Sequence, residues 1–368
     1  MKSNNRMDYI NRLIDDFKAW FEGETYTDAL LVASAPNPMY IGSWKSWDSW
    51  SIVKLIRHGE NPNRVIDLFE EWVDKTVFIG DGFPRLWINL GPGALSAFLG
   101  AKPILMEDTV WFDGGFDWSY LDKLEAKPKG DYWELTDRLT IEACRRGRGK
   151  FIVGITDIGG PTDVAGMLRG VERLFIDSFR NRSKVVKLLD IVVDAWLEVY
   201  NRHSKMILSN LSVMSCWMNI LYPGLGYPIQ CDLSVYMSPT LFEDLAFKPL
   251  ARLCERLEYP VYHLDGLGEI QHINRICSLP GLKAIQWTPG AGKPDVDDPC
   301  WFHLYDKILE AGLNLVLLGV KPSNIVKLSK RFSKGRILIH TEFDDLNKAE
   351  DTARSLGYRD VLSFTIKY

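Results

Sequence analysis

The sequence predicts an α/β fold in which parallel strands alternate with helices as a (β/α)₈ TIM barrel. Eight short apolar runs recur along the 368 residues, and stretches with helical periodicity, such as 184–205 and 240–258, lie between them. These runs lack polar alternation, which is typical of parallel strands that are buried on both faces. The predicted strands are 28–34, 75–81, 150–157, 216–222, 259–265, 282–287, 313–319 and 336–342. A doubly wound open sheet is the alternative.

The chain length and composition favour one large core. Hydrophobic residues make up 46% of the sequence, and single α/β barrels often reach this length. Neither a linker, a repeat nor a low-complexity segment divides the chain. We therefore predict a single domain over residues 1–368, with an N-terminal helical extension over 1–25.

Charge and hydropathy exclude several classes of partner. The net charge of −4 provides no basic footprint for nucleic acid. The N-terminus lacks an apolar signal-peptide core, and the apolar-rich segment 206–229 is interrupted by polar residues, Pro and Gly. The six cysteines form no CxxC pair and are interpreted as reduced thiols. We expect a cytoplasmic protein that acts on a small molecule and binds neither nucleic acid nor membrane.

Two predicted strands end in a histidine followed at the second position by a carboxylate. These pairs are His263 with Asp265, and His340 with Glu342. Residues i and i+2 of a strand point to the same face, so both pairs are predicted to enter the mouth of the barrel. They suit acid–base catalysis or, through His263, His340 and Glu342, a divalent metal such as zinc. The alternative is that each histidine only closes a strand end with a hydrogen bond.

Further polar residues follow the predicted strands. Asp81 lies between two glycines, so a tight turn is predicted to present it at the mouth as a further catalytic residue. An aspartate in this position can also be the N-cap of the next helix, which is the alternative interpretation of Asp157. The predicted substrate-binding residues at strand ends are Asp157, Gln230, Asp232, Gln286 and Trp287.

Three tryptophans follow the first predicted strand, at Trp44, Trp47 and Trp50. Their spacing suits a short helix capped near Ser46, with Trp47 and Trp50 packed on the core. Trp44 precedes that cap, and both a core position and a place in a ligand wall stay open for it. Because βα loops build the active-site face of a barrel, Trp44 and Trp47 are included among the predicted substrate-binding residues.

Several segments together resemble the uroporphyrinogen decarboxylase superfamily, over roughly residues 60–345. They are "NLGPGALSAFLGAKPILMEDTVWF" (89–112), "DIGGPTDVAGMLRG" (157–170), "MSPTLFEDLAFKPLARL" (237–253) and "HLDGLGEIQHI" (263–273). The resemblance is to the non-porphyrin branches. It implies a (β/α)₈ barrel, commonly a homodimer, with the active site at the carboxyl ends of the strands. Asp81 and His340 then correspond to the family's pyrrole-binding aspartate and its C-terminal histidine.

The departures from the family pattern change the expected activity. The loop after the first strand lacks the arginines that hold porphyrinogen carboxylates, and "VAGML" replaces a family tyrosine. Asp265 stands where thiol-activating members have the Cys of a zinc-binding His-x-Cys motif. The resemblance then favours a demethylase that passes a methyl group from a methoxy or methylamine substrate to a corrinoid (cobalamin) protein. His263, Asp265, His340 or Glu342 would be its acid. A decarboxylase of a small non-porphyrin acid and a non-catalytic small-molecule binder are the alternatives.

Overall fold

The computed structural model describes residues 3–332 and 335–359, with side chains from Asp8 onward, as an α/β fold with mostly parallel strands. Its strands are β1 (Leu30–Pro36), β2 (Thr76–Gly80), β3 (Arg85–Trp87), β4 (Lys102–Leu105), β5 (Val110–Asp113), β6 (Ile152–Gly154), β7 (Met214–Ser215), β8 (Leu221–Tyr222), β9 (Gly226–Gln230), β10 (Tyr259–Asp265), β11 (Ala284–Thr288), β12 (Asn314–Leu318) and β13 (Ile337–Glu342).

The α-helices lie between and around these strands. They are α1 (Ser3–Glu22), α2 (Ser51–Arg57), α3 (Arg64–Asp74), α4 (Leu95–Phe98), α5 (Trp118–Leu121), α6 (Asp131–Gly147), α7 (Pro161–Arg169), α8 (Val171–Arg180), α9 (Arg182–Leu211), α10 (Pro239–Phe242), α11 (Lys248–Cys254), α12 (Ile273–Ile276), α13 (Phe302–Glu310), α14 (Ile325–Arg331) and α15 (Leu346–Ser355). Within the described chain, none is long and apolar enough to cross a membrane.

The largest sheet has seven strands in the order β2-β1-β13-β12-β11-β10-β9. Every pair in it from β1 to β9 is parallel, so the carboxyl ends of these six strands meet at one edge. His263 of β10 pairs with Gln230 of β9 and Gln286 of β11, and His340 of β13 pairs with Val32 of β1. This register brings the predicted polar residues of β9, β10 and β11 to one level of the sheet.

The direction of β2 differs from the prediction. It is antiparallel to β1, with Val32 opposite Gly80 and Pro36 opposite Thr76. The run 75–81 therefore does not end at the same edge as the parallel strands. Asp81, which follows β2, lies at the opposite edge.

The second sheet has the order β3-β6-β7-β8 and corrects another prediction. The run 216–222 was expected to be one strand, but residues 216–220 form the connection between the short antiparallel strands β7 and β8. Asn219 in this connection has a positive φ of 56°. The strand that enters the large sheet instead is β9, "GYPIQ", which the apolar pattern did not predict.

The described strands form two main sheets and the hairpin β4-β5, and the hydrogen-bonded ladders among them do not close into one ring. Helices cover the sheets, and their buried faces supply much of the core. The 30-residue helix α9 buries Trp196 and Tyr200, and α1 buries Phe17 and Trp20. The closed (β/α)₈ barrel remains a prediction, and the α/β class is what the structure shows.

Candidate active site

Three side chains capable of binding a metal converge at the carboxyl ends of β9 and β10. Asp232, His263 and Asp265 each offer one ligand atom, and these atoms lie within 4.8 Å of one another. His263 and Asp265 are the fifth and seventh residues of β10, so they share a face. Asp232 begins the 3₁₀ turn Asp232–Tyr236, two residues after β9 ends. The site thus depends on the parallel pairing of β9 with β10.

The position of the proton on His263 follows from its neighbour. The side-chain amide of Gln286 donates to the carbonyl of Trp287 (2.7 Å) and to Thr288 Oγ1 (2.9 Å), which fixes the orientation of that amide. Its oxygen, Oε1, therefore faces His263 Nδ1 and accepts a hydrogen bond from it. Nε2 is left with a free lone pair, as a metal-ligating or proton-accepting imidazole requires.

Asp232 is held from both its side chain and its backbone. Gln230 Nε2 lies 3.3 Å from each carboxylate oxygen of Asp232. The backbone N–H of Asp232 donates to Asp163 Oδ2 (3.1 Å), and that of Leu233 donates to Asp163 Oδ1 (2.9 Å). Asp163 therefore acts as a cap for this turn, and its own oxygens are occupied by backbone donors.

Buried carboxyl groups surround these three residues. Burial raises the pKa of Asp232, and it raises the pKa values of Asp163 and Glu269 well above their usual range, with Asp232 adding repulsion to both. Burial and then Asp232 raise the pKa of Asp157 to about 7. So many acidic groups in a buried region favour either protonation or a bound cation.

An aromatic side chain covers the imidazole. The ring of Trp217 is perpendicular to that of His263, at a centroid distance of 4.8 Å. Trp217 belongs to the connection between β7 and β8. It therefore brings the second sheet against the edge of the first and shields one side of the candidate metal site.

The second histidine lies in a different place. His340 and Glu342 line a cavity of about 190 Å³ together with Arg85, Ser34 and Trp47. Burial, and then the nearby charge of Arg85, lower the pKa of His340 to about 4, so this imidazole is neutral near pH 7. Burial also lowers the pKa of Arg85, to about 10, which leaves the guanidinium charged.

The predicted metal set of His263, His340 and Glu342 is therefore corrected. β11 and β12 separate β10 from β13, so the two histidines are three strands apart. Among the described residues, the group that can surround a metal contains Asp232 and Asp265 in place of His340 and Glu342. His263 is also absent from the lining of the cavity beside His340.

The predicted tryptophans have separate environments. Trp44 is half-buried in the loop after β1 and donates to Thr76 Oγ1 (2.9 Å). Trp47 packs on Phe69 at 5.0 Å and lines the cavity beside His340. The expected helix from Ser46 is wrong, because α2 begins at Ser51.

Trp287 is a core residue and not a ligand contact. Successive side chains of a strand point to opposite faces, so Trp287 points away from the side that Gln286 occupies. It is fully buried and packs on Trp301 at a centroid distance of 5.2 Å.

Because β2 is antiparallel, Asp81 lies at the amino-terminal edge of the parallel strands, away from Asp232, His263 and Asp265 at their carboxyl ends. It accepts a hydrogen bond from Tyr358, and its Oδ1 lies 3.8 Å from Arg12 Nη1. Burial and then the charge of Asp16 raise the pKa of Asp81 to about 8. Its expected place at the mouth beside Trp44 is therefore wrong.

Three residues at these sites were not predicted. Arg85 is a charged residue at the start of a short buried strand, and Glu269 is a buried carboxylate that accepts from Tyr262 (3.1 Å). Trp217 lies in the run 216–222, whose apolar pattern predicts a strand instead of a connection. The sequence could have identified Arg85, because a cation at the start of an apolar run requires a partner or a function. Spacing gave no comparable signal for Glu269.

Comparisons with known proteins give a fold relationship. No family model matches the chain, and no curated protein was found to match it. A solved structure that it matches is a methyltransferase from Methanosarcina mazei, with a TM-score of 0.57 and 12% sequence identity. The match covers 93% of this chain and 97% of the other. At this identity the likeness shows the fold.

Proposed function

We propose that the protein is a methyltransferase of the non-porphyrin branch of the uroporphyrinogen decarboxylase superfamily. It takes a methyl group from a small methoxy or methylamine substrate and passes it to the corrinoid of a partner protein, and it acts as a homodimer. The fold shared with a methyltransferase over nearly the whole chain supports this proposal. The sequence segments quoted above support it independently.

We also infer that the two main sheets enclose one barrel interior. Arg85 of β3 lines the same cavity as Ser34 of β1 and His340 of β13, so the second sheet adjoins β1 there. On the other side, Trp217 of the second sheet contacts His263 of β10. Both contacts are those expected of a barrel whose ladder is interrupted at two places.

The observation that carries the functional proposal is the group Asp232, His263 and Asp265. Its spacing, the free lone pair of His263 Nε2 and the repulsion among its carboxylates fit a divalent cation such as zinc. Such a cation would polarise the oxygen or nitrogen from which the methyl group departs. The absence of a cysteine in the group favours such a substrate over a thiol.

The residues around this group provide the proton chemistry. When the methyl group leaves, the electron pair of the broken bond stays on the substrate oxygen or nitrogen, which then needs a proton. Asp157, whose pKa is raised to about 7, is protonated in about half of the molecules at pH 7 and lies close enough to Asp232 for their charges to interact. Trp217 limits access of water to His263.

The test is methyl transfer to cob(I)alamin from a panel of methoxy and N-methyl compounds, with and without added Zn²⁺. We expect turnover by the native protein and a loss of at least about 100-fold in His263→Ala. The matched control is His58→Ala, which changes an exposed histidine at the end of α2. Failure of the whole panel, or equal rates in the two variants, would contradict the proposal.

A decarboxylase of a small carboxylic acid is the second candidate, because the guanidinium of Arg85 is suited to hold a carboxylate. Release of CO₂ from small acids without methyl transfer would favour this activity.

A further inference from the structure

The cavity beside His340 carries two opposite charges that do not pair with each other. Arg85 and Glu342 both line this space of about 190 Å³. Across the described part of the chain, neither side chain has an oppositely charged group within ion-pair distance. Charges in a partly enclosed cavity are costly unless they have partners. Their arrangement therefore points to a ligand that carries both complementary charges.

The guanidinium of Arg85 is held in place with part of its donor edge free. Nε donates to Asn219 Oδ1 (2.8 Å), and Nη1 donates to the carbonyl of Cys216 (3.1 Å). Nη2 makes no hydrogen bond to the residues that the structure describes. A planar guanidinium fixed in this way is preorganised to bind a carboxylate.

Glu342 lies on the wall formed by β13 and the loop after β1. It accepts a hydrogen bond from Ser46 and is two residues beyond His340 on the same face of β13. His340 is neutral near pH 7 and adds no positive charge to this wall. The carboxylate of Glu342 can therefore attract an ammonium group at a point separate from Arg85.

Aromatic side chains form part of the remaining walls. Trp47, Trp72 and Phe78 line the cavity, and Trp72 is fixed by donating to the carbonyl of Lys45 (2.9 Å). Aromatic faces attract cations, including methylated ammonium groups that cannot donate hydrogen bonds. The walls thus suit a compact ligand with an apolar cationic end.

We propose that this cavity binds a small zwitterion, with its carboxylate at Arg85 and its ammonium group at Glu342 and the tryptophans. The cavity lies apart from Asp232, His263 and Asp265, so this binding is separate from the methyl transfer proposed at those residues. Binding of the zwitterion is a separate property and is measured without turnover.

Calorimetric titration with sarcosine, dimethylglycine and glycine betaine tests the proposal. Two isosteres of glycine betaine each lack one charge: 3,3-dimethylbutanoate has carbon in place of nitrogen, and betaine amide has a neutral amide. We expect at least one zwitterion to bind, and both isosteres to bind about tenfold or more weakly than glycine betaine. Equal binding of glycine betaine and its two isosteres would overturn the proposal. So would a failure of all three zwitterions to bind to the folded protein.

Two variants test which residue binds the carboxylate of the zwitterion and which binds its ammonium group. Arg85→Gln should abolish the preference for glycine betaine over betaine amide, and Glu342→Gln should abolish the preference over 3,3-dimethylbutanoate. Lys45→Gln, which removes an exposed cation from the adjoining loop, should keep both preferences. Circular dichroism checks folding, because Arg85 also holds the β7–β8 connection. Preferences that survive in both cavity variants would refute the assignment. Binding without methyl transfer would contradict the proposed function alone.

Discussion

At the scale of single residues, the site depends on one side-chain amide. Gln286 has no charge and would not bind a metal strongly, yet its two donated hydrogen bonds determine which nitrogen of His263 is free. In a similar way, the side-chain amide of Gln230 donates to the carboxylate of Asp232. Both glutamines were predicted to bind substrate, and in the structure their amides hydrogen-bond to Asp232 and His263.

Gln286→Leu should therefore weaken metal binding without removing a ligand. Loss of the acceptor at Nδ1 lets the proton occupy Nε2, so we expect the affinity for Co²⁺ to fall by about 10- to 100-fold. The measurement is a Co²⁺ titration followed by visible absorption. Gln271→Leu is the control, because Gln271 is exposed and its amide donates to the nearby carbonyl of Gly268. Unchanged affinity in Gln286→Leu would refute this role.

At the scale of elements, apolar runs predicted where most strands lie but not their direction. Five predicted runs overlap parallel strands of the large sheet, because burial on both faces leaves a clear sequence pattern. They are 28–34, 259–265, 282–287, 313–319 and 336–342. The antiparallel direction of β2 is set by pairing partners distant in sequence, which apolar runs do not encode. The spacing i, i+2 predicts that His263 and Asp265 share a face, and the structure places them together. Whether His340 lies beside them depends on the order of the strands in the sheet, which the spacing does not encode.

The connection between β7 and β8 has a conformational requirement at Asn219. Its φ of 56° is in the left-handed region, where residues with a Cβ other than Asn and Asp are disfavoured. Asn219→Ala and Asn219→Gly both lose the bond to Arg85, but only alanine adds backbone strain. We expect Asn219→Ala to be less stable than Asn219→Gly by about 1 kcal/mol in urea unfolding.

A position with ordinary backbone geometry should show the reverse order. Asn63 has a φ of −64°, so Asn63→Ala should be at least as stable as Asn63→Gly. If alanine and glycine have the same effect at Asn219, strain in this connection makes no measurable contribution.

At the scale of the whole molecule, ionisable groups are concentrated at both edges of the large sheet. One edge carries Asp232, His263 and Asp265. The other carries Asp81, which accepts a hydrogen bond from Tyr358 and lies near Tyr9. The Tyr9 hydroxyl donates to the carbonyl of Gly82, which adds to the enclosure of the second group. Acidic groups buried without full compensation favour the protonated form, so the stability of the fold must depend on pH.

Asp81 allows this dependence to be isolated, because it is distant from the candidate metal site. Its pKa is about 8 in the folded protein, mainly because of burial, and 3.8 is the usual value for an exposed aspartate. Between these values the folded protein keeps the proton and the unfolded chain releases it. The stabilisation is therefore complete below about pH 4, is lost as pH rises through 8, and changes by at most about 1.4 kcal/mol per pH unit.

We expect the free energy of unfolding to fall as pH is raised from 5 to 8, and to fall less steeply in Asp81→Asn. The asparagine is neutral at every pH and can still accept from Tyr358, so it removes the titration while keeping the shape of the side chain. Urea unfolding at each pH gives the two slopes. Asp15→Asn, an exposed change on α1, should reproduce the native slope. Identical slopes for the native protein and Asp81→Asn would show that Asp81 is already ionised in the fold, with Arg12 compensating its charge despite burial.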